Sequence, residues 1–521
     1  MALSAIISLV RAVQAQESPS PSPPPAGLSA SPQAVNDTPG LPVAVAISGA
    51  REPLQVSLDD KIAAVSTSGT TITLTGGNRP GRTTMHVLDA TGAQLDLPVR
   101  IAFNAGTVPK VLTLKLTGDP DGAFAAAQAQ LAVARATQGQ PGTTPQFGPV
   151  AVPGQQLRPN DAAVLSVPVR IAGGDEYFDV NDTTQVTLQY ASSAPFEPQI
   201  LYYSDDPERI DADGVLYRAT LTPSQPVRLY DYHENGDQPR RLVIAMRASA
   251  PSSLQIVESF HGPNIDVMTV GHSVTREFLA VKPGNKGLVV DLSAGVTYVH
   301  RDVAMAGGQG IASNIDFNLL SGGPVSVVVA ALPPEASAQE AFALPAAPLD
   351  GKNRHGIFDL RRYGALSATY VAGGPDQALS VGDREPSVPK ASSGDGADYG
   401  DYGVLFRLRF AFSNPTDSTQ TAYLYETPRG GPARAAYLVD NDPAQLKELG
   451  CATSVRTPTD APHRYLIAAY ELPARSNQTH TLLTMTDGGS NLPLEIGVTG
   501  VPPELNAPPI GSPEGCFPKP G

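Results

Sequence analysis

Acidic side chains crowd one short segment of the chain and raise the question of a cation site. Residues 202–221 read "YYSDDPERIDADGVLYRATL", and clustered carboxylate oxygens are the ligands that Ca²⁺ prefers. An EF-hand register would use Asp211, Asp213 and Gly214. That register fails, because Arg209 then takes the first ligand position and Thr220 that of the bidentate glutamate. An acidic loop between strands is the favoured interpretation. The alternative is an irregular calcium loop with the ligands Asp205, Asp206, Asp211 and Asp213.

A second polar segment contains a candidate zinc ligand. Residues 228–246 read "RLYDYHENGDQPRRLVIAM", in which His233 is the obvious metal ligand. Zinc requires three or four ligands, and the sequence has neither an HExxH motif nor paired Cys/His spacings. His261 and His272 lie in the same predicted domain, so a site assembled in the fold stays an alternative. The Asn-Gly pair between two apolar alternations favours a β-hairpin.

The sequence holds no local catalytic motif. It lacks a G-x-S-x-G elbow, a P-loop and a G-x-G-x-x-G turn after a strand. Asp175 and Glu176 are adjacent on a predicted strand and point to opposite faces, so they cannot flank one glycosidic bond unaided. A triad assembled across the fold would leave no local signal, which keeps a secreted hydrolase as an alternative. Five tyrosines either stack on sugars or pack across strands: Tyr202, Tyr203, Tyr217, Tyr230 and Tyr232.

Period-two alternation of apolar residues supplies the elements that would position these side chains. Val43, Val45 and Ile47 alternate with small residues, and Leu97 and Val99 belong to a second run of the same kind, as expected of half-buried strands. Gly and Pro number 49 and 51 of 521 residues, a surplus that shortens helices and multiplies turns. The sequence therefore predicts an all-β chain of several β-sandwiches with one or two short covering helices.

Helical periodicity is confined to short segments. Val267, Val270, Val274 and Phe278 recur at three- and four-residue steps, which predicts a helix near 264–281 with Asn264 as its N-cap. A second run, "GAFAAAQAQLAVARATQ", consists of good helix formers behind two aspartates that could cap it.

Residues 28–104 contain about six short strands, at the spacing of a small β-sandwich. "TTITLTG" precedes a Gly-rich turn, and "VLDATG" precedes the last strand. In this order of strands the segment resembles a bacterial Ig-like (Big-type) domain. The resemblance implies a surface-exposed spacer or adhesive module without catalytic residues, and none are assigned.

The rest of the chain divides at composition changes. A strand, a proline turn and a second strand recur in both large regions beyond the module, which indicates a shared architecture. The predicted segments are a signal-like segment (1–15), a Ser/Pro-rich spacer (16–27), the Ig-like sandwich (28–104), a sandwich with the helix near 264–281 (108–335), a further sandwich (350–500) and a Pro/Gly-rich tail (501–521).

The N-terminus predicts export. Residues 2–10 are apolar, and residues 13–15 fit a small-residue cleavage site, although Arg11 interrupts the stretch and no basic residue precedes it. The Ser-Pro repeat at residues 18–25 favours extended polyproline and fits a spacer. No later apolar run reaches the length of a transmembrane helix.

Two cysteines, Cys451 and Cys516, are the only ones in the chain. Paired, they would tie the tail to the last domain and stabilise it by about 4 kcal/mol in the chain-entropy model. The alternative is two free thiols.

The net charge of −14 and the lack of any basic run in the sequence argue against nucleic acid as a partner, since phosphates require clustered Lys and Arg. The sequence predicts an extracytoplasmic, non-enzymatic structural or adhesive protein of the envelope, with an envelope protein or a glycan as partner. The alternative is a secreted carbohydrate-binding or carbohydrate-active protein, which would require a calcium site or a tyrosine-lined site near residues 202–233.

Overall fold

The computed structural model describes residues 27–154, 157–159, 161–351, 354–361, 363–382, 388–389, 397–453 and 463–503. The predicted signal-like segment, most of the spacer and most of the tail, including Cys516, lie outside these residues. The chain is all-β and splits into two compact units. The first comprises Met1–Thr107, Gln138–Pro145 and Arg170–Asn181, and the second comprises Val108–Thr137, Gln146–Val169 and Asp182–Gly521. In the described ranges, no helix is long and apolar enough to cross a membrane.

The first unit is built on two four-stranded sheets with a common core. Their orders are β1-β3-β6-β5 and β2-β8-β7-β4. The strands are β1 (Ser29–Ser31), β2 (Val35–Asp37), β3 (Pro42–Ser48), β4 (Gln55–Ser57), β5 (Ala63–Ser68), β6 (Thr71–Gly76), β7 (Gly81–Leu88) and β8 (Gln94–Ile101). A short β9 (Gly106–Thr107) pairs with residues 138–139.

Alternation explains this core. Val45 and Ile47 of β3 are buried while their neighbours are exposed, and Leu97 and Val99 of β8 repeat the pattern. The buried residues of both sheets join one apolar cluster, because every second side chain of a strand points to the same face. The β-sandwich predicted here from alternation is confirmed.

The remaining elements follow in chain order. The helices are α1 (Gly122–Ala136) and α2 (Val267–Val281), with 3₁₀ turns at Ala338–Ala343 and Pro443–Gln445. The strands are β10 (Val111–Thr117), β11 (Gln138–Gly139), β12 (Pro145–Phe147), β13 (Ala162–Ile171), β14 (Val180–Tyr190), β15 (Ile200–Ser204), β16 (Arg209–Ile210), β17 (Gly214–Leu221), β18 (Val227–Asn235), β19 (Arg240–Ala248), β20 (Ser252–Asn264), β21 (Gly287–Leu292), β22 (Thr297–Met305), β23 (Gly310–Ser321), β24 (Val325–Leu332), β25 (His355–Asp359), β26 (Ala365–Val371), β27 (Gln377–Val381), β28 (Val388–Pro389), β29 (Ala397–Asp398), β30 (Phe406–Asn414), β31 (Gln420–Pro428), β32 (Ala433–Val439), β33 (Leu446–Ala452), β34 (Tyr465–Leu472), β35 (Ser476–Thr484) and β36 (Leu494–Thr499).

The second unit contains two sandwiches that share the same strand order. In the first, β15-β18-β23-β20-β21, part of an eleven-stranded sheet, shares its core with β17-β24-β19-β22. In the second, β26-β30-β35-β32-β33 shares its core with β27-β36-β31-β34. When these nine strands of each sandwich are numbered along the chain, the sheet orders of both sandwiches are 1-3-8-5-6 and 2-9-4-7. In both sandwiches strand 1 runs parallel to strand 3. The shared architecture that the sequence indicated is therefore a tandem repeat.

Equivalent asparagines mark this repeat. Asn235 ends β18, and Asn414 ends β30. The Nδ2 group of Asn235 donates, at 2.8–3.2 Å, to the carbonyl oxygens of Gln238, Met305 and Ala306. The Nδ2 group of Asn414 donates, at 2.8–3.0 Å, to the carbonyl oxygens of Ser418, Leu472 and Pro473. In both sandwiches the amide thus ties the turn to the end of the equivalent strand, β22 or β34.

The hairpin predicted for residues 228–246 is wrong. The strands β18 and β19 flank the turn, but β18 pairs with β15, β16 and β23, whereas β19 pairs with β22 and β24 of the other sheet. The Asn-Gly pair leads the chain from one sheet of the sandwich to the other, and the two strands that it connects do not pair with each other. A local turn signal reverses the chain without specifying the partner strand.

Both helices begin at an aspartate cap. The Asp121 carboxylate accepts from the backbone N–H of Phe124 at 2.8 Å, at the start of α1. Asp266, rather than the predicted Asn264, caps α2 and accepts from the N–H groups of Met268 and Thr269. Helix α2 packs on β20 and β23 of the first sandwich and on β32 of the second. It therefore joins the two sandwiches.

Candidate binding groove and polar clusters of the second unit

The four predicted calcium ligands lie in two kinds of environment. Asp205 and Asp206 are buried, whereas Asp211 and Asp213 lie in the loop between β16 and β17. Asp211 Oδ1 is 3.1 Å from Nε of Arg209. Asp213 Oδ1 accepts from Nε of Arg240 at 2.9 Å. The two loop carboxylates are thus paired with arginines.

The buried pair has partners from far along the chain. Asp205 Oδ2 accepts from the Tyr203 hydroxyl at 3.2 Å and lies 3.3 Å from Arg354 Nε. Burial raises the pKa of Asp205 well above its usual range, against the opposing charge of Arg354. Asp206 accepts from the backbone N–H of Asp350. Across the described ranges, no group of three or more His, Cys, Asp or Glu side chains could hold a metal ion, and the calcium loop stays a prediction.

The three candidate histidines have separate partners. His233 is fully buried, with Nε2 2.9 Å from Ser204 Oγ and Nδ1 2.8 Å from the carbonyl oxygen of Pro207. Burial lowers the pKa of His233 to about 4, so the ring is neutral. His261 Nδ1 lies 3.6 Å from Glu277. His272 belongs to the cluster described next.

His272 is held between two carboxylates at the junction of α2 with the second sandwich. Its Nδ1 is 2.8 Å from Asp487 Oδ2, and its Nε2 is 3.0 Å from Glu448 Oε2. Burial disfavours the charged ring, but the charge and hydrogen bond of Asp487, supported by Glu448, raise the pKa of His272 to about 9. At neutral pH this histidine is an imidazolium, which cannot act as a general base.

A third cluster lies inside the first sandwich. Glu258 Oε2 is 2.6 Å from His300 Nε2, and Glu258 Oε1 is 2.8 Å from Arg301 and 3.3 Å from Arg135. Burial opposes the charge of Glu258, but Arg301 and His300 hold its pKa well below the usual range. The single buried carboxylate is thus paired with two arginines, as expected of a buried charge.

The five tyrosines are packed rather than presented. None is more than 6% exposed. The rings of Tyr203 and Tyr230 lie 5.5 Å apart, and those of Tyr202 and Tyr217 lie 6.0 Å apart. The packing interpretation is therefore correct, and a sugar-stacking platform built from these rings is excluded.

A buried ion triplet lies beneath the surface between α2 and the two sandwiches. Arg228 donates to both oxygens of Asp316, with Nε at 2.6 Å and Nη2 at 3.0 Å. Lys282, the residue after α2, places Nζ 2.9 Å from Asp316 Oδ2. Burial opposes the charge of Asp316, but Arg228 and Lys282 lower its pKa. Two cations thus share one buried anion.

An open cavity of about 550 Å³, here called the cationic groove, is lined by Lys282 of this triplet and by two further cations. Its polar lining comprises Asp119, Glu197, Lys282, Asn285, Lys286, Arg407 and Asn441. Glu197 Oε1 accepts from Arg407 Nη2 at 2.7 Å, and Glu197 Oε2 lies 3.7 Å from Lys282 Nζ. A neighbouring cavity of about 420 Å³ shares Glu197 and Arg407 and reaches Arg228.

Asn285 is the unusual member of this lining. It is 3% exposed, and neither Nδ2 nor Oδ1 of its side chain has a hydrogen-bond partner in the structure. Leaving a buried amide unpaired costs about 1–3 kcal/mol per group, so such groups need a reason. No local pattern in the sequence predicts this groove, since its lining residues come from six separate segments.

The comparisons with known proteins yield no family. No protein-family model and no curated protein matches the chain. Among solved structures, the chain has 10% identity to the SGBP-B protein of the Bacteroides ovatus mixed-linkage glucan utilization locus in complex with a mixed-linkage heptasaccharide, over 57% of this chain and 72% of that one, with a TM-score of 0.12. Lac15 from a marine microbial metagenome matches at 10% identity over 91% and 90%, with a TM-score of 0.11. The protocadherin gamma B7 cadherin domains match at 12% identity over 53% and 74%, with a TM-score of 0.13. Likeness this slight carries no argument about function.

Proposed function

We propose that this chain is an exported, non-enzymatic binding protein of the cell envelope, which takes a small ligand such as a glycan fragment in the cationic groove. One observation carries the proposal: Asn285, whose buried side-chain amide has no hydrogen-bond partner among the described residues, lines a cavity together with three cations and two carboxylates. A cavity of this volume falls in the usual range for small-molecule sites, about 300–1,000 Å³. This favours a small ligand over the face of a protein partner.

The buried acid–base groups support a binding role over catalysis. His233 and His272 have both ring nitrogens engaged. Glu258 is surrounded by cations. A catalytic base or nucleophile must be able to reach a substrate, and these groups are committed to the interior.

The location rests on the sequence. The signal-like start, the Ser/Pro spacer and the Ig-like module together favour export and display away from the membrane. A bond between Cys451 and Cys516 would fit an oxidising compartment. Cys451 lies half-buried on β33, and Cys516 lies outside the described residues.

Two measurements test the proposal. Protease treatment of intact source cells, with mass spectrometry of the mature N-terminus, is expected to release surface peptides and to show cleavage after Ala15. Purified protein is expected to bind cell-envelope fractions, and Asn285→Gly is expected to weaken that binding. Glycine suits this position because its φ of 48° is left-handed. An uncleaved Met1 inside the cell, or equal binding by the variant, would contradict the proposal.

A further inference from the structure

We infer that the cationic groove recognises the carboxylate of an acidic sugar, and that Glu197 occupies the place of that carboxylate in the free protein. The inference rests on the proposed binding function and specifies its ligand class. Glu197 contacts two cations, Arg407 and Lys282. Arg407 belongs to β30 of the second sandwich, and Lys282 directly follows α2. The chain's own side chain thus indicates which anion the site accepts.

The Lys282 ammonium has one donor to spare. Its three N–H groups can form three hydrogen bonds, and two are directed to Asp316 Oδ2 at 2.9 Å and to the carbonyl oxygen of Phe196 at 2.7 Å. Glu197 Oε2, at 3.7 Å, is too far for a third hydrogen bond. A ligand carboxylate in the groove can approach this donor more closely than Glu197 does.

Arg407 offers the geometry for a planar anion. Of its five N–H donors, the contact to Glu197 uses Nη2. Arginine binds carboxylates through two parallel hydrogen bonds when the anion can align with the guanidinium fork. Glu197 makes one such bond, so a free carboxylate would complete the second.

The Glu197 side chain is exposed enough for a ligand to displace it from the two cations. This side chain is 62% exposed and belongs to the irregular segment between β14 and β15. Exposed ion pairs contribute little to stability, so an incoming carboxylate displaces this one at small cost. The buried Lys282–Asp316–Arg228 triplet stays behind and keeps the lysine in position.

Asn285 extends the recognition beyond a bare anion. Its amide has one acceptor and two donors, and neither polar atom has a hydrogen-bond partner among the described residues. A sugar hydroxyl both donates and accepts, so it can satisfy an amide that a simple carboxylate cannot. The site therefore fits a uronic acid better than acetate.

Calorimetric titration of the full chain with D-galacturonate, D-galactose and inorganic phosphate tests this assignment. The two sugars differ in the carboxylate, and we expect galacturonate to bind at least about tenfold more tightly than galactose. Arg407→Gln and Asn285→Gly are each expected to weaken galacturonate binding about tenfold. Glu197→Gln is expected to tighten it by about two- to fivefold, because the internal competitor no longer reduces the competent fraction.

Matched controls come from an exposed ion pair of the second sandwich. Arg475 lies 2.8 Å from Asp417 on the surface, so Arg475→Gln and Asp417→Asn should leave galacturonate affinity unchanged. Equal affinity for the two sugars, tighter binding of phosphate, weaker binding by Glu197→Gln or no binding of galacturonate would each overturn the inference. Protease accessibility on intact cells is measured independently of sugar binding. If galacturonate does not bind, the inference about the ligand fails, while the proposed export is still tested by the protease experiment.

Discussion

Replacing His272 by glutamine tests whether the imidazolium between Asp487 and Glu448 holds α2 against the second sandwich. Glutamine keeps hydrogen-bonding capacity but cannot carry the charge. Asp487 is fully buried, so the variant leaves a buried carboxylate without its cation. Breaking a buried pair in this way typically costs about 3–5 kcal/mol.

The pH dependence of this contribution follows from the two pKa values of His272. The ring titrates near 6.5 in the unfolded chain and at about 9 in the folded protein. Between these values the folded state keeps a proton that the unfolded state has lost. The free energy of unfolding therefore falls as pH rises, by about 1.4 kcal/mol per pH unit. Across the interval the loss approaches about 3 kcal/mol: the stabilisation is complete below pH 6.5 and gone above pH 9.

Asp487 takes part in the same contact, and its pKa is shifted as well. Burial raises the pKa of Asp487 against the charge of His272, and a raised carboxyl pKa changes stability on the acidic side, starting from its ordinary value near 4. The difference between wild type and His272→Gln therefore measures the contact as a unit, because its groups titrate together.

The assay is urea unfolding followed by far-ultraviolet circular dichroism at pH 6, 7, 8 and 9 for both proteins. The free-energy difference between wild type and His272→Gln is expected to shrink by about 3 kcal/mol from pH 6 to pH 9. His86→Gln is the matched control, since His86 faces Asp96 on the surface of the first unit, and it should follow the wild-type profile. Parallel profiles for wild type and His272→Gln would refute the reasoning.

Three further substitutions probe the architecture by thermal and urea unfolding. Asn414→Ala removes a donor from three carbonyl groups and should lower the unfolding free energy by about 2 kcal/mol; a change below about 0.5 kcal/mol would contradict the role assigned to this amide. Gly271→Ala places a Cβ 2.1 Å from the carbonyl oxygen of Gly488 and should destabilise by about 1–3 kcal/mol, whereas helix propensity alone would give a gain of about 1 kcal/mol. Arg228→Met leaves Asp316 with one cation and should cost about 3 kcal/mol; an unchanged midpoint would show that Lys282 suffices.

The strands were predictable because burial of every second residue is a local property. The alternation of Val45 and Ile47 with small residues shows within β3 alone which face of the strand is buried. The partner of a strand is not local. The turn after Asn235 looks like a hairpin in sequence, and the acceptors in β22 that direct it across the sandwich lie far along the chain.

The polar clusters were hidden for the same reason. Asp205 looked like a metal ligand because its arginine partner, Arg354, arrives from a distant segment. The backbone of Asn285 packs closely on Gly118, where a Cβ would lie 2.0 Å from the backbone carbonyl oxygen of Asn285. No periodicity or spacing in the sequence encodes such an approach.

The repeated strand order has a consequence for how the chain reaches its native state. Two copies of one topology in a single chain can exchange equivalent strands and become trapped. Their interiors oppose this: four residues before the terminal asparagine stands Asp231 in β18 but Phe410 in β30, and two residues before it stand His233 and Phe412. A strand in the wrong copy would place a carboxylate or an imidazole among phenylalanines, without Ser313 or Ser204 as partner. The buried polar residues thus disfavour pairing of a strand with the wrong copy of the repeat.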